Sequence, residues 1–390
     1  MDRENGGIVL KIVIACDSYK ESLRAIEVCK AIEKGFSKIF PEAEYVNVPI
    51  GDGGEGTVQS LVDATGGKII SLYVTGPLGE RVEAFYGISK DERTAFIEMA
   101  AASGLHHVSV EERNPLITTT KGTGELILDA LDRGVQHIIL GLGGSATNDG
   151  GTGMLSALGV KFLKKNGQIM EPVGGNLQSI DSLDLSTFDP RLAHVKIEAA
   201  CDVDNPLTGK KGAAAVFAKQ KGASSEMIVE LDENLKHYAY VLKHQLHIDV
   251  EQISGAGAAG GLGAAVVAVL RGELRKGIEI VLDYTNFDEH IRATDIVLTG
   301  EGRIDEQTAY GKAPVGVARR AKRFHIPVIA IGGSVTSNHM LVYKEGIDAV
   351  FSATSSPMKL EEAYMAAKEN IEMTARNIAS VWKMASEKRL

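Results

Sequence analysis

The sequence predicts an α/β protein, with a doubly wound parallel-sheet domain assembled from both ends of the chain and a second α/β domain inserted between them. Three observations predict it. Apolar, β-branched runs alternate with segments of helical period near the N-terminus and again near the C-terminus. Between those regions, strand-like runs follow one another without helices. Glycine-rich polar loops follow the apolar runs, at the sheet edge where open parallel sheets bind ligands. The chain has 390 residues, more than the roughly 250–300 that one hydrophobic core usually serves.

The first element is Lys11–Cys16 (KIVIAC), a buried-strand pattern that ends at Asp17. In Ser22–Phe40, apolar residues recur at Leu23, Ile26, Cys29, Ile32, Phe36 and Phe40, which marks one helical face, and Pro41 stops it. Tyr45–Ile50 then reads as a strand, Gly51–Gly56 as a loop, and Thr57–Thr65 as a helix closed by Gly66 and Gly67. Lys68–Thr75, Arg81–Ile88 and Thr94–Met99 are strand-like runs separated by turn residues. A helix over Gly124–Arg133, strands over His137–Leu142 and Val195–Ala200, and helices over Ser225–Leu246 and Ala258–Leu270 follow. The closing region alternates strands at Asp295–Thr299, Pro327–Ile331 and Ala349–Ala353 with helices over Pro314–Phe324 and Leu360–Lys383. The expected division is residues 8–75 with 285–390 for the doubly wound domain and 76–284 for the inserted one.

Composition excludes several classes of function. A net charge of -9 without a basic patch disfavours nucleic-acid partners. Ile8–Cys16 and Ala264–Leu270, the longest apolar stretches, fall short of the roughly 20 residues of a membrane span. Met1–Leu10 lacks the basic start and apolar run of a secretion signal, so a cytoplasmic protein is expected. Cys16, Cys29 and Cys201 form no C-x-x-C pair, which fits a reducing compartment. The oligomeric state stays open, a homodimer included.

The loops carry the chemistry. Asp17-Ser18-Tyr19-Lys20 with Ser22 follows the first strand, and Lys20 can neutralise a carboxylate or phosphate; helix capping by Ser22 is the competing account. Gly51-Asp52-Gly53-Gly54-Glu55-Gly56-Thr57 suits close backbone approach to a ligand, with two carboxylates for a cation or hydroxyl, though a tight turn with a helix cap explains it nearly as well. Gly141–Gly153 interleaves glycines with Ser145, Thr147, Asn148, Asp149 and Thr152, a pattern that offers backbone donors to phosphates. It is neither a Walker loop nor a dinucleotide fingerprint. Because a helix end contributes only about 0.3–1 kcal/mol, a triphosphate needs full positive charges too, and Mg2+ on Asp149 is expected to supply one. Thr118–Glu125 offers hydroxyls and Lys121, or an N-cap cluster. Cys201-Asp202-Val203-Asp204-Asn205-Pro206 suits a hard cation or a base, or an Asx turn. Thr299–Thr308 with Gly311-Lys312 carries Glu301 and Asp305 for metal or proton, and Arg303 and Lys312 for anions.

Six segments in order, ACDSYKESL from Ala15, GDGGEGT from Gly51, GLGGSATNDGG from Gly141, CDVDNPL from Cys201, GAGAAGGLG from Gly255 and TGEGRIDEQT from Thr299, resemble the bacterial glycerate kinase family. The likeness runs from about Lys11 to past Ser334; Tyr19, where the family more often has Phe, is a small departure. The resemblance implies ATP and Mg2+ as cosubstrates, D-glycerate as acceptor and 2-phosphoglycerate rather than the 3-isomer as product. It further implies a flavodoxin-like domain joined to a restriction-endonuclease-like one. Side-chain chemistry then suggests roles. Asp202, with Asp52 and Lys20, is expected to be catalytic, Asp202 being the first choice for the base. Ser18, Lys20, Arg303, Asp305 and Lys312 are expected to bind substrate. Gly143, Gly144, Ser145, Thr147, Asn148, Lys121 and Thr123 are expected at the nucleotide, and Asp149, Asp204 and Glu301 at the metal. Two rivals are an NAD(P)-dependent hydroxy-acid dehydrogenase, which should carry G-x-G-x-x-G where Asp17-Ser18-Tyr19-Lys20 stands, and a non-catalytic sugar-acid sensor, which needs no such set of carboxylates beside phosphate loops.

Overall fold

The computed structural model describes residues 9–51, 53, 54 and 56–387. In chain order these form β1 (Lys11–Cys16), α1 (Ala25–Ser37), β2 (Glu44–Asn47), α2 (Thr57–Thr65), β3 (Lys68–Thr75), β4 (Arg81–Ile88), β5 (Thr94–Glu98), α3 (Ala100–Ser103), α4 (Lys121–Asp132) and β6 (His137–Gly141). Then come α5 (Thr152–Ala157), β7 (Lys161–Leu163), β8 (Ser182–Asp184), β9 (Lys196–Ala200), α6 (Ala213–Phe217), α7 (Ser225–Leu246), α8 (Ala258–Ala268) and β10 (Glu273–Arg275). The chain closes with α9 (Gly277–Tyr284), α10 (Phe287–Ile291), β11 (Ile296–Ile304), α11 (Ala313–Lys322), β12 (Val328–Val335), β13 (Ala349–Ser352), α12 (Leu360–Met365) and α13 (Ala367–Glu387). Two compact units result, one of residues up to 52 with those from 278 on, the other of residues 53–277.

The first unit holds a five-stranded sheet in the order β2-β1-β11-β12-β13, parallel throughout. Ile12, Ile14 and Cys16 share a core with Val28, Cys29 and Ile32 of α1 and Ile371, Ala375 and Ile378 of α13. The alternate residues Val13 and Ala15 are equally buried, and α11 packs against β1 and β11. Both faces are therefore covered, as an all-parallel sheet requires. Each large apolar side chain so buried contributes roughly 1.5–3 kcal/mol. Arg320 of α11 is buried and donates to Asp283 at 2.9 Å and Asp288 at 3.2 Å, and it also pairs with Glu279. These charged hydrogen bonds tie α9 and α10 to the first unit.

The second unit holds a mixed sheet in the order β10-β9-β6-β5-β4-β3, in which β3, β4 and β5 are antiparallel and β5, β6, β9 and β10 parallel. Its divide corrects the expected boundaries at 75 and 284. Strand β3 pairs with β4 along its whole length, from Lys68 opposite Ile88 to Thr75 opposite Arg81. Helix α2 lies against β4, where the Cγ2 of Val62 would stand 2.5 Å from a Cβ at Gly87. Both elements thus belong with residues 53–277.

Two helices differ from their expected form. The C-terminal helix is broken between α12 and α13 at Ala366. In α8, Ala259, Gly260 and Gly261 have left-handed φ of 51°, 66° and 95°. The reason is close contact, since a Cβ at Gly260 would stand 2.1 Å from the Thr147 carbonyl oxygen. GAGAAGGLG is therefore the bed on which the 141–151 loop lies, with Gly150 N–H donating to Gly260 O at 3.0 Å.

Candidate active site

In the first unit, the carboxyl ends of β1 and β11 open into a cavity of about 680 Å³. Asp17, Ser18, Lys20, Glu301, Arg303 and Lys312 line it, together with the more apolar Met358, Leu360, Ala363 and Tyr364. Asp17 is buried and its Oδ1 accepts the Ser18 N–H at 2.6 Å. Tyr19 runs beneath the loop, and its hydroxyl donates to Ile331 O at 2.8 Å. Burial raises its pKa well above the ordinary value, so it stays a phenol. The Lys20 N–H makes no hydrogen bond among the described residues. Gly302 faces it: a Cβ there would lie 3.5 Å from Tyr19 Cα and 3.7 Å from Lys20 N, in ordinary contact and without left-handed φ. Nothing in the protein's own packing demands glycine at 302, whereas a ligand approaching the Lys20 backbone would.

The five expected residues Ser18, Lys20, Arg303, Lys312 and Glu301 all line this cavity. Asp305 does not. It caps the turn Glu306–Tyr310 by accepting the Gln307 N–H at 2.9 Å, and it sits 3.3 Å from Arg303 Nε. Glu301, expected at a metal, is buried, accepts the Thr308 hydroxyl at 2.5 Å and lies 3.5 Å from Lys312 Nζ. A carboxylate so engaged fits an ion pair better than a metal.

In the second unit, β6 delivers the chain into the loop 142–151. Gly143 and Gly144 are exposed, while Ser145–Asp149 are buried. From Gly143 to Asp149, only Ala146 donates its backbone N–H to another described residue, to Ser103 O at 2.9 Å. The carbonyls have partners instead. Gly144 O accepts Leu105 N–H at 2.9 Å, Ala146 O accepts the Thr118 hydroxyl at 3.1 Å, and Thr147 O accepts Lys221 Nζ at 2.6 Å. A trans peptide directs its C=O and the following N–H to opposite sides. The N–H groups of Ser145, Thr147 and Asn148 therefore point away from those three partners. The Thr147 hydroxyl and both amide atoms of Asn148 also lack partners among the described residues. Buried donors of this kind are normally satisfied, and successive free N–H groups form an anion-binding nest.

Asp149, expected to ligate a metal, is instead the hub of this loop. Its Oδ2 accepts the N–H and hydroxyl of Thr120 at 2.8 and 2.7 Å and the Gly153 N–H at 3.1 Å; its Oδ1 accepts the Gly151 N–H at 3.1 Å. Burial raises its pKa and the four hydrogen bonds oppose that rise. Its oxygens thus join the starts of α4 and α5 through three backbone N–H groups and one hydroxyl. Thr123, expected at the nucleotide, is fully buried 3.0 Å from the Ser103 hydroxyl and is a packing residue. Lys121 is exposed at the first position of α4.

Asp202 and Asp204 follow β9. Asp202 is exposed and accepts the Gly277 N–H at 3.0 Å. Its Oδ2 would lie 3.5 Å from a Cβ at Gly53, so Gly53 meets this loop. Asp52 and Glu55 lie outside the described residues. Asp204 Oδ1 is 3.2 Å from Lys276 Nζ and 3.2 Å from Ser254 Oγ, a pairing that competes with any metal. Among the described residues no group of three or more His, Cys, Asp or Glu is placed to hold a metal ion. Lys276 and Lys221 were not foreseen from sequence, because neither lies in a glycine-rich loop.

Comparison with known proteins gives concordant findings. The profile of the Glycerate kinase family matches residues 12–383. A Bacillus cereus protein named glycerate kinase is 73% identical over 97% of this chain and 100% of its own length. An Escherichia coli protein named glycerate 2-kinase is 57% identical over 95% of this chain and 97% of its own. The crystal structure of a protein assigned as glycerate kinase 2 from Salmonella typhimurium LT2 superposes with a TM-score of 0.91 at 54% identity, covering 97% of this chain and 100% of that one.

Proposed function

The chain belongs to the glycerate kinase family, and from that premise we propose that it moves the γ-phosphoryl group of ATP onto the 2-hydroxyl of D-glycerate, giving 2-phosphoglycerate and ADP. The observation that carries the phosphate half of this reading is the set of backbone N–H groups between Gly143 and Asp149 that, Ala146 apart, have no partner among the described residues. The cavity of the first unit supports the acid half, because Lys20, Arg303 and Lys312 gather there and the Lys20 N–H has no partner among the described residues. In the proposed step the glycerate oxygen attacks the γ-phosphorus, its bond to phosphorus forms as the bond to the bridging oxygen of ADP breaks, and the hydroxyl proton passes to Asp202. Positioning and neutralisation of charge supply most of the rate.

Magnesium is proposed as a companion of the nucleotide phosphates, whose negative charge it would neutralise. The three carboxylates expected to hold it, Asp149, Asp204 and Glu301, are each taken by donors or lysines, so none is assigned to it. The finer fold labels are proposals too. Counted within the first unit, the strand order is 2-1-3-4-5, which supports a flavodoxin-like reading; for the second we keep the restriction-endonuclease-like reading. Three unpaired, buried cysteines support a reducing compartment. Among the described residues no helix is long and apolar enough to cross a membrane.

ADP release measured with and without D-glycerate tests the reading, with enolase added to consume only the 2-phosphate. Release that needs glycerate and feeds enolase is expected. Nicotinamide turnover, or ligand binding without ADP, would favour a dehydrogenase or a sensor.

A further inference from the structure

Beneath the 143–149 loop lies a cationic side chain that the transfer step does not require. Lys221 closes the turn Lys219–Lys221, which ends at Gly222 with φ 93°. Its side chain runs inward until the residue is only 2% exposed. The ammonium donates to Ser145 Oγ at 2.7 Å and to Thr147 O at 2.6 Å. Burial lowers its pKa to about 7, with the Asp149 carboxylate opposing the fall. An apolar side chain of similar length would fill the same space without that desolvation, so what the lysine contributes is geometry.

We propose that Lys221 is a positioning residue for phosphoryl transfer, pinning Ser145 and the Thr147 carbonyl so that the loop presents its N–H groups to the nucleotide's phosphates. The other carbonyl pins, Leu105 N–H and the Thr118 hydroxyl, each hold one point of the loop; Lys221 alone among the three grips two. Fixing the Thr147 C=O on Lys221 sets the plane of the peptide it shares with the Asn148 N–H, and with it the direction of that N–H. The inference rests on the reading of this loop as the phosphate site.

The test is Lys221→Met in the full chain, with ATP and D-glycerate varied separately in initial-rate assays. A rise of about tenfold or more in the KM for ATP, equivalent to about 1.4 kcal/mol or more, with the KM for D-glycerate steady, is expected. A residue that only holds the fold together would lower the melting temperature and the yield of active enzyme without moving one KM selectively. If the KM for D-glycerate rises instead, the positioning role stands and the assignment of the loop to ATP falls. A folded variant with both KM values and kcat within twofold of wild type overturns the proposal. Should Lys221→Met not fold, Lys221→Gln keeps an N–H donor group on a shorter side chain and is expected to show the same split at smaller size; a folded Lys221→Gln with no change in either KM overturns the proposal equally.

Discussion

Replacing Gly302 with Ala sets stability against function in one position. The added Cβ would meet Tyr19 Cα at 3.5 Å, Lys20 N at 3.7 Å and Tyr19 C at 3.9 Å, all ordinary contacts, in the interior of β11. Glycine in a strand interior costs roughly 0.5–1 kcal/mol relative to alanine, so Gly302→Ala should leave stability unchanged or raise it by about that much. The same methyl group, however, stands over the Lys20 N–H, which has no partner among the described residues. If that N–H binds the glycerate carboxylate, the methyl obstructs a hydrogen bond to a charged group, worth about 1.5–3 kcal/mol. The expected loss in kcat/KM for D-glycerate is therefore about 10- to 150-fold. Thermal unfolding and initial rates on one preparation check both halves. A variant as stable as wild type with unchanged kcat/KM would refute the placement of the acid against this wall, and a strongly destabilised one would refute the packing argument.

Other outcomes follow from the same geometry. Asp202→Asn should lower kcat by about 10²- to 10⁴-fold with little change in either KM; near-normal turnover would remove Asp202 as the base. Glu198, 3% exposed, receives Lys196, Arg275 and His137 at 2.7, 2.6 and 2.7 Å. Burial pushes its pKa up, yet the bonds from Lys196 and Arg275 prevail and bring it down to about 2. A depressed folded pKa stabilises fully above the unfolded value and loses that contribution as pH falls toward 2. Urea unfolding at pH 7 and pH 3 should thus find Glu198→Gln costing about 1–2 kcal/mol more at the higher pH, after allowance for solvent screening; an equal cost at both would contradict the pairing.

How much of this was legible beforehand depended on whether the cause was local. The KIVIAC strand, the helix face from Leu23 to Phe36 and the glycine run at 141–153 are local patterns, and the structure has β1, α1 and the loop after β6 there. The partner of β3 is not local. Its residues read as a strand in any sheet, and only pairing with β4 assigns it to the second unit. The hydrogen-bonding role of Asp149 was not legible because a carboxylate among glycines and threonines looks the same whether it ligates a cation or collects N–H groups; Thr120 supplies half its donors from 29 positions away. Lys221 gave no signal, since its partners lie 74 and 76 positions distant. Gly302 and Gly143 were noticed as glycines, but that neither is needed for packing emerges only from the space around them, the nearest atom to a Cβ at 143 being 3.8 Å away.

The arrangement stands or falls on where the triphosphate goes. Crystals grown with a non-hydrolysable ATP analogue and D-glycerate should place phosphate oxygens within about 3 Å of the Ser145, Thr147 and Asn148 nitrogens, with the glycerate carboxylate near Lys20 and Arg303. A triphosphate seated in the first unit's cavity, with those loop nitrogens still unpaired, would contradict the account.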